Sequence, residues 1–89
     1  MSRKKLGNGW IRDTSEEDGS IVYRWYEKPE EGIIASIVQS RDFPNETELR
    51  ASGKKFDSFF SRGSKSIMLS RSDKEMIKSI EMLIRRKLD

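Results

Sequence analysis

The C-terminal stretch from Ser72 to Leu88 restricts the fold more than any other part of this chain. Met76, Ile77, Ile80, Leu83, Ile84 and Leu88 recur at three- and four-residue intervals, which lays them along one side of an α-helix as a broad apolar stripe. Ser72 and Glu75 have the S-x-x-E spacing of a capping box, in which each side chain satisfies an otherwise unpaired donor of the first turn. Arg85, Arg86 and Lys87 fall in the last turn, where cations meet the negative end of the helix dipole. A lone amphipathic helix is marginal in water, so the stripe must be covered by a second apolar surface. The residues before Ser72 are expected to supply it.

What precedes it is β-prone. Trp10 to Thr14, Ile21 to Lys28 and Ile33 to Arg41 are runs rich in aromatic and β-branched residues. "SEEDGS" (Ser15 to Ser20) separates the first two as a solvated turn, with Asp18-Gly19 suited to a hairpin bend. "PEEG" (Pro29 to Gly32) separates the next two, proline setting φ and glycine accepting positive φ. The pattern predicts an antiparallel meander of at least three strands.

"NETELRASGKKFDSFFSRG" (Asn45 to Gly63) admits two readings. Leu49, Gly53, Phe56 and Phe60 stand at helical spacing, with Asn45 or Thr47 as cap and Gly63 as stop. The same residues also suit a hairpin turning at Ser52-Gly53, with Phe56 and Phe60 on one face. Gly53 in mid-helix would cost about 1 kcal/mol relative to alanine. "KSIMLS" (Lys65 to Ser70) reads as a further short strand. The expected fold is therefore α+β: a small antiparallel sheet with the amphipathic C-terminal helix packed on one face. Residues 1–8, with Arg3, Lys4 and Lys5, are expected as a flexible basic arm, and residues 9–89 as a single domain.

Composition removes whole classes of chemistry. The chain has no cysteine, hence no disulfide and no thiolate zinc site. It has no histidine either, which excludes Ser-His-Asp chemistry and the commonest metal ligand. "GNG" (Gly7 to Gly9) lacks the strand–turn–helix context of a nucleotide loop, and "SGKK" lacks the upstream glycine of a phosphate loop. Asp13, Glu16, Glu17 and Asp18 do not follow the twelve-residue calcium pattern. No catalytic residue, metal or cofactor is expected. No apolar run approaches the ~20 residues of a membrane span, so the expected address is the cytoplasm or another reducing compartment, without a membrane partner.

Charge is distributed in blocks. Net charge is only +3, but between Arg50 and Arg71 six basic residues face one acid. Arg50, Lys54, Lys55, Arg62 and Lys65 interleave there with Phe56, Phe59 and Phe60, and Phe59 is expected exposed beside Arg62 if the other two rings turn inward. Such a patch attracts phosphate by counterion release; an ordinary solvated lysine-rich face has the same composition. In "IVYRWYEK" (Ile21 to Lys28), Ile21, Tyr23 and Trp25 share one face and are expected to turn toward the helix. Val22, Arg24, Tyr26 and Lys28 share the other, where Tyr26 between two cations would offer a base a stacking surface. Aromatic residues in a strand also serve packing alone.

Two local likenesses bear on this. "LGNGW…DGSIVYRWYEKP" looks like the first hairpin of a WW domain, but the second tryptophan falls too early and a domain's length of sequence follows. "KSIMLSRSDKEMIKSIEML" resembles the last strand and helix of the transcriptional positive-cofactor family of single-strand DNA-binding proteins. That likeness spans under a quarter of the chain, and no residue role is carried over from it.

The expectation is thus a non-enzymatic nucleic-acid-binding protein. Its contacts would be Arg24, Tyr26, Lys28, Arg50, Lys54, Lys55, Phe59, Arg62 and Lys65. The alternative is a protein-binding inhibitor or adaptor, of the kind mobile elements encode. It would meet a basic partner through Asp13, Glu16, Glu17, Asp18, Glu30 and Glu31. A third reading is homodimerisation, if the helix carries more apolar surface than its own sheet can cover.

Overall fold

Six strands follow one another in chain order and pair antiparallel with their sequence neighbours: β1 (Lys4–Gly7), β2 (Trp10–Asp18), β3 (Ile21–Lys28), β4 (Ile33–Ser40), β5 (Thr47–Gly53) and β6 (Phe56–Arg62). A single helix, α1 (Asp73–Leu88), closes the described chain. This computed structural model describes residues 3–43, 46–62 and 72–88, and for Thr14, Ser15, Glu16, Phe59, Lys87 and Leu88 the backbone alone. The α+β meander with its C-terminal helix is the fold anticipated above. The short strand expected at Lys65 to Ser70 lies outside the described residues, as do Asn45 and Gly63.

The sheet is larger than the hydrophobic runs suggested. Lys4–Gly7, read as part of a loose arm, is hydrogen-bonded to β2 as an edge strand. Its hairpin closes through Asn8 and Gly9, both at positive φ (54° and 85°). Two consecutive left-handed residues are what a type I′ turn demands, and Asn-Gly is its preferred pair. Strand β2 also runs on through Glu17 and Asp18, so the bend comes only at Gly19 and Ser20. The three acids of "SEEDGS" are therefore strand residues rather than turn residues.

The region from Thr47 to Arg62 is the hairpin and not the helix, and its turn sits at Lys54 and Lys55 rather than at Ser52-Gly53. Gly53 remains in β5 beside a register shift, and the Phe56 ring lies over it. A methyl group built at Gly53 would stand 2.7 Å from Phe56 Cε1 and 3.2 Å from Ile33 Cγ1. The glycine that argued against a helix serves here as the seat of an aromatic ring.

The core lies between α1 and one face of the sheet. Met76, Ile77, Ile80 and Ile84 from the helix join Trp10, Tyr26, Ile33, Ala35, Ile37, Leu49 and Ala51 in one buried cluster, with Leu6, Val22, Phe56 and Leu83 at its margin. The serine half of the capping box forms, the Glu75 N–H donating to Ser72 Oγ at 3.3 Å, while the Glu75 carboxylate accepts from the Ser72 hydroxyl at 3.1 Å. The buried polar pair Gln39 and Thr47 is satisfied internally, Gln39 Nε2 donating to Thr47 Oγ1 at 2.9 Å. Among the described residues no helix is long and apolar enough to cross a membrane.

One expectation is reversed. The alternation along β3 is as read, but the covered side is the other one. Tyr26 is fully buried beneath the helix, with Val22 and Arg24 on its face, while Tyr23 and Trp25 stand on the uncovered face. Steric room explains part of this. Tyr26 pairs with Ala35, which pairs with Ala51, so a row of small side chains leaves space for the ring under α1.

Candidate functional site

Electrostatics explains the rest of the reversal. Asp73, in the first turn of α1, has a side chain only 13 % exposed. Arg12 Nη1 donates to its Oδ2 at 2.8 Å, Tyr26 Oη donates to its Oδ1 at 2.7 Å, and Arg24 Nη1 lies 3.7 Å from Oδ1. A carboxylate at a helix N-terminus also meets the positive end of the dipole. Two strand cations can therefore face inward because one helix anion receives them. Arg12 Nε and Arg24 Nε are buried without a hydrogen-bond partner among the described residues, so their compensation rests on Asp73. This cluster fastens the helix to the sheet and is not open to a ligand.

Burial first, and then the bond to Asp73, push the Tyr26 phenol well above the usual tyrosine range. An unfolded tyrosine releases its proton near pH ~10, whereas the folded one keeps it, so the unfolded state binds fewer protons above that pH. Stability is complete below pH ~10 and should fall above it by about 1.4 kcal/mol per pH unit until the folded phenol itself ionises. Urea titrations between pH 9 and 11 should show that slope, and Tyr26→Phe should remove it. An unchanged slope in the variant would place the alkaline sensitivity elsewhere.

The opposite face of the sheet carries no described helix, and cross-strand register sorts its side chains into rows. One row runs Trp25–Ser36–Arg50–Phe60 across β3, β4, β5 and β6. The next runs Tyr23–Val38–Glu48–Arg62. Tyr23 and Trp25 stack on each other, centroids 5.8 Å apart and planes 11° from parallel. Phe60 is 47 % exposed and has two guanidinium groups close to its ring, Arg50 at 5.2 Å and Arg62 at 5.7 Å from the ring centre. Arg62 also pairs with Glu48, while Arg50 meets no carboxylate among the described residues. Ile34, 57 % exposed, extends the apolar part of this surface.

Of the anticipated nucleic-acid contacts, Arg50 and Arg62 converge here. Lys54 and Lys55 sit exposed in the β5–β6 turn at the end of the same hairpin. Arg24 and Tyr26 do not belong to an outer surface; they are part of the Asp73 cluster. Lys28 also points inward, its Nζ 5.9 Å over the Trp10 ring and 3.2 Å from Glu31 Oε2. Phe59 pairs with Ala51 in the register, and its side chain, like Lys65, lies outside the described set. The ring beside Arg62 is Phe60. Trp25, Tyr23, Ser36 and Phe60 are thus the members that sequence reasoning missed or turned inward. The available signal was β4, where Ile33 and Ile37 and the smaller Ala35 share one parity opposite Ile34, Ser36 and Val38.

The acids do not gather into a ridge. Glu17 and Asp18 lie at the β2–β3 bend, whereas Glu30 and Glu31 lie in the turn at the other end of β3. Glu17 pairs with Arg41, Asp13 with Arg3 at 3.3 Å and Glu31 with Lys28. The side chain of Glu16 is outside the described set. No group of acids able to hold a metal ion occurs among the described residues.

Fold and site together define a sheet-and-helix protein with one face covered by the helix and one aromatic face on which no described element packs. No family model, curated protein or solved structure matches this chain.

Proposed function

We propose that this chain is a non-enzymatic nucleic-acid-binding protein that receives single-stranded nucleic acid on the open face of its sheet. The observation that carries the reading is the row Trp25–Ser36–Arg50–Phe60, in which two rings flank a guanidinium with no acidic partner among the described residues. Four adjacent strands separate the rings by about 14 Å, and a four-stranded sheet with aromatic side chains is a surface on which two or three bases stack. Rings supply stacking, arginines meet phosphate, and neither contact demands a particular base. Bases paired within a duplex cannot reach a sheet in this way.

Tryptophan fluorescence tests it directly. Trp10 is 2 % exposed in the core, so quenching on addition of an oligonucleotide reports Trp25. Quenching should saturate with single strands, weaken steeply with salt, and be far smaller with a duplex of the same sequence. Phe60→Ala should lower affinity roughly 5- to 150-fold, the equivalent of about 1–3 kcal/mol for one stacked base. Absence of binding at low salt overturns the proposal. So does a homodimer that dissolves on Phe60→Asp while no oligonucleotide binds, because the open face would then belong to a second copy.

A further inference from the structure

We infer that the open face contains a seat for one unpaired base and that this seat accepts all four bases; the inference rests on the single-strand reading above. Between β4, β5 and β6 the surface dips into an open groove of about 470 Å³, lined by Ile34, Ser36, Arg50, Ser52, Ser58 and Phe60. Its volume lies within the ~300–1,000 Å³ of sites that hold small ligands. The dip lies where small side chains sit beside larger neighbours: Ser36 between Trp25 and Arg50, and Ser52 beside Ile34.

Each part of the groove matches part of a nucleotide. Ile34 on β4 and Phe60 on β6, the two well-exposed apolar side chains of the lining, stand on the strands either side of β5 and offer apolar surface to a flat ring. Three hydroxyls remain for its edge. A serine hydroxyl both donates and accepts, so it can bond any base and distinguishes poorly among them. Selective readout needs a bidentate partner, and of the residues lining the groove Arg50 alone could make one, to guanine. Its guanidinium rests against the Phe60 ring, 5.2 Å from the centre, and we assign it to the phosphate beside an inserted base rather than to the base edge.

Five ligands of equal length and one variant decide the matter: single strands rich in dA, dC or dT, a mixed strand containing dG, and a fully abasic strand, each titrated against the wild-type chain and Ser36→Leu. The base-containing strands should bind within about threefold of one another, as sequence-tolerant stacking requires, and the abasic strand at least about tenfold more weakly. Leucine at position 36 should fill the dip, weakening the base-containing strands to the level of the abasic one and leaving the abasic one unchanged; circular dichroism of the variant checks that the sheet is intact. An abasic strand that binds the wild-type chain as tightly as the others overturns the seat but leaves the proposed function standing. A preference above about 30-fold for one base overturns its indifference. If no strand binds, the proposed function itself falls.

Discussion

Asp73→Ala should lower the free energy of unfolding by about 3–5 kcal/mol, because it strips the counter-charge from two arginines that the sheet holds inward. Arg12 and Arg24 have side chains only 21 % and 20 % exposed, so water replaces little of what the carboxylate provides. In a domain of this size such a loss corresponds to a fall in Tm on the order of 15 °C or more. Urea denaturation followed by circular dichroism measures it, with an unchanged m-value showing that the unfolded state is the same. Asp73→Asn, which keeps an acceptor for the Tyr26 hydroxyl but not the charge, should fall between the two. Asp73→Ala introduced after Arg12→Met and Arg24→Met should cost much less, since no buried cation is left unpaired. A cost below about 1 kcal/mol for the single variant would mean that the cluster does not fasten the helix.

Tyr26→Ala and Trp25→Ala should differ sharply, although the two residues are neighbours in one strand. Tyr26 is fully buried, and truncating a buried aromatic side chain costs about 3–5 kcal/mol. Trp25 lies partly buried on the other face against Tyr23, and its loss should cost about 1 kcal/mol, the size of one stacked aromatic pair. Trp25→Ala should in turn remove the oligonucleotide-dependent quenching. Tyr26→Ala, wherever it remains folded, should retain it. The Tyr26 and Asp73 substitutions share a hydrogen bond, so their effects should not add, and the double variant measures the coupling. Equal costs for Tyr26→Ala and Trp25→Ala would put the helix on neither face in the way described.

Much of this architecture is legible in the residues themselves, because its signals are local. The S-x-x-E cap and the stripe from Met76 to Ile84 mark the helix without reference to the sheet. Pro29 and Gly32 mark the turn between β3 and β4 in the same way. Asn8-Gly9 was equally readable as a hairpin turn, and it would have revealed β1. Its polar flanks, Lys4 and Lys5 on an edge strand, concealed the strand, since edges are where cations serve to block unwanted pairing. The hairpin of Thr47 to Arg62 was ambiguous for a different reason. Rings at positions 56 and 60 satisfy a helical period and a strand period alike, and only the pairing of β5 with β4 separates the two.

The candidate site was the least legible part. Arg50 and Arg62 were found because a block of basic residues is visible in one dimension. Their ring was misassigned because Phe56 and Phe60, which share a parity, end on different sides: the register shift between Ala51 and Gly53 breaks the alternation. A bulge reverses the facing of every residue beyond it and leaves no compositional trace.

From the order of its residues alone this chain determines one helix, the existence of its central strands and the two sets into which alternation divides each strand. Alternation carries no sign. Which set of β3 goes under the helix was decided only in three dimensions. Asp73, far along the chain, reaches Arg12, Arg24 and Tyr26 and makes an inward-facing pair of cations tolerable, while Ala35 and Ala51 clear room for the ring. The same choice turns Trp25, Tyr23 and Phe60 outward, and so the open face and whatever it binds follow from an ion pair that no local pattern announces.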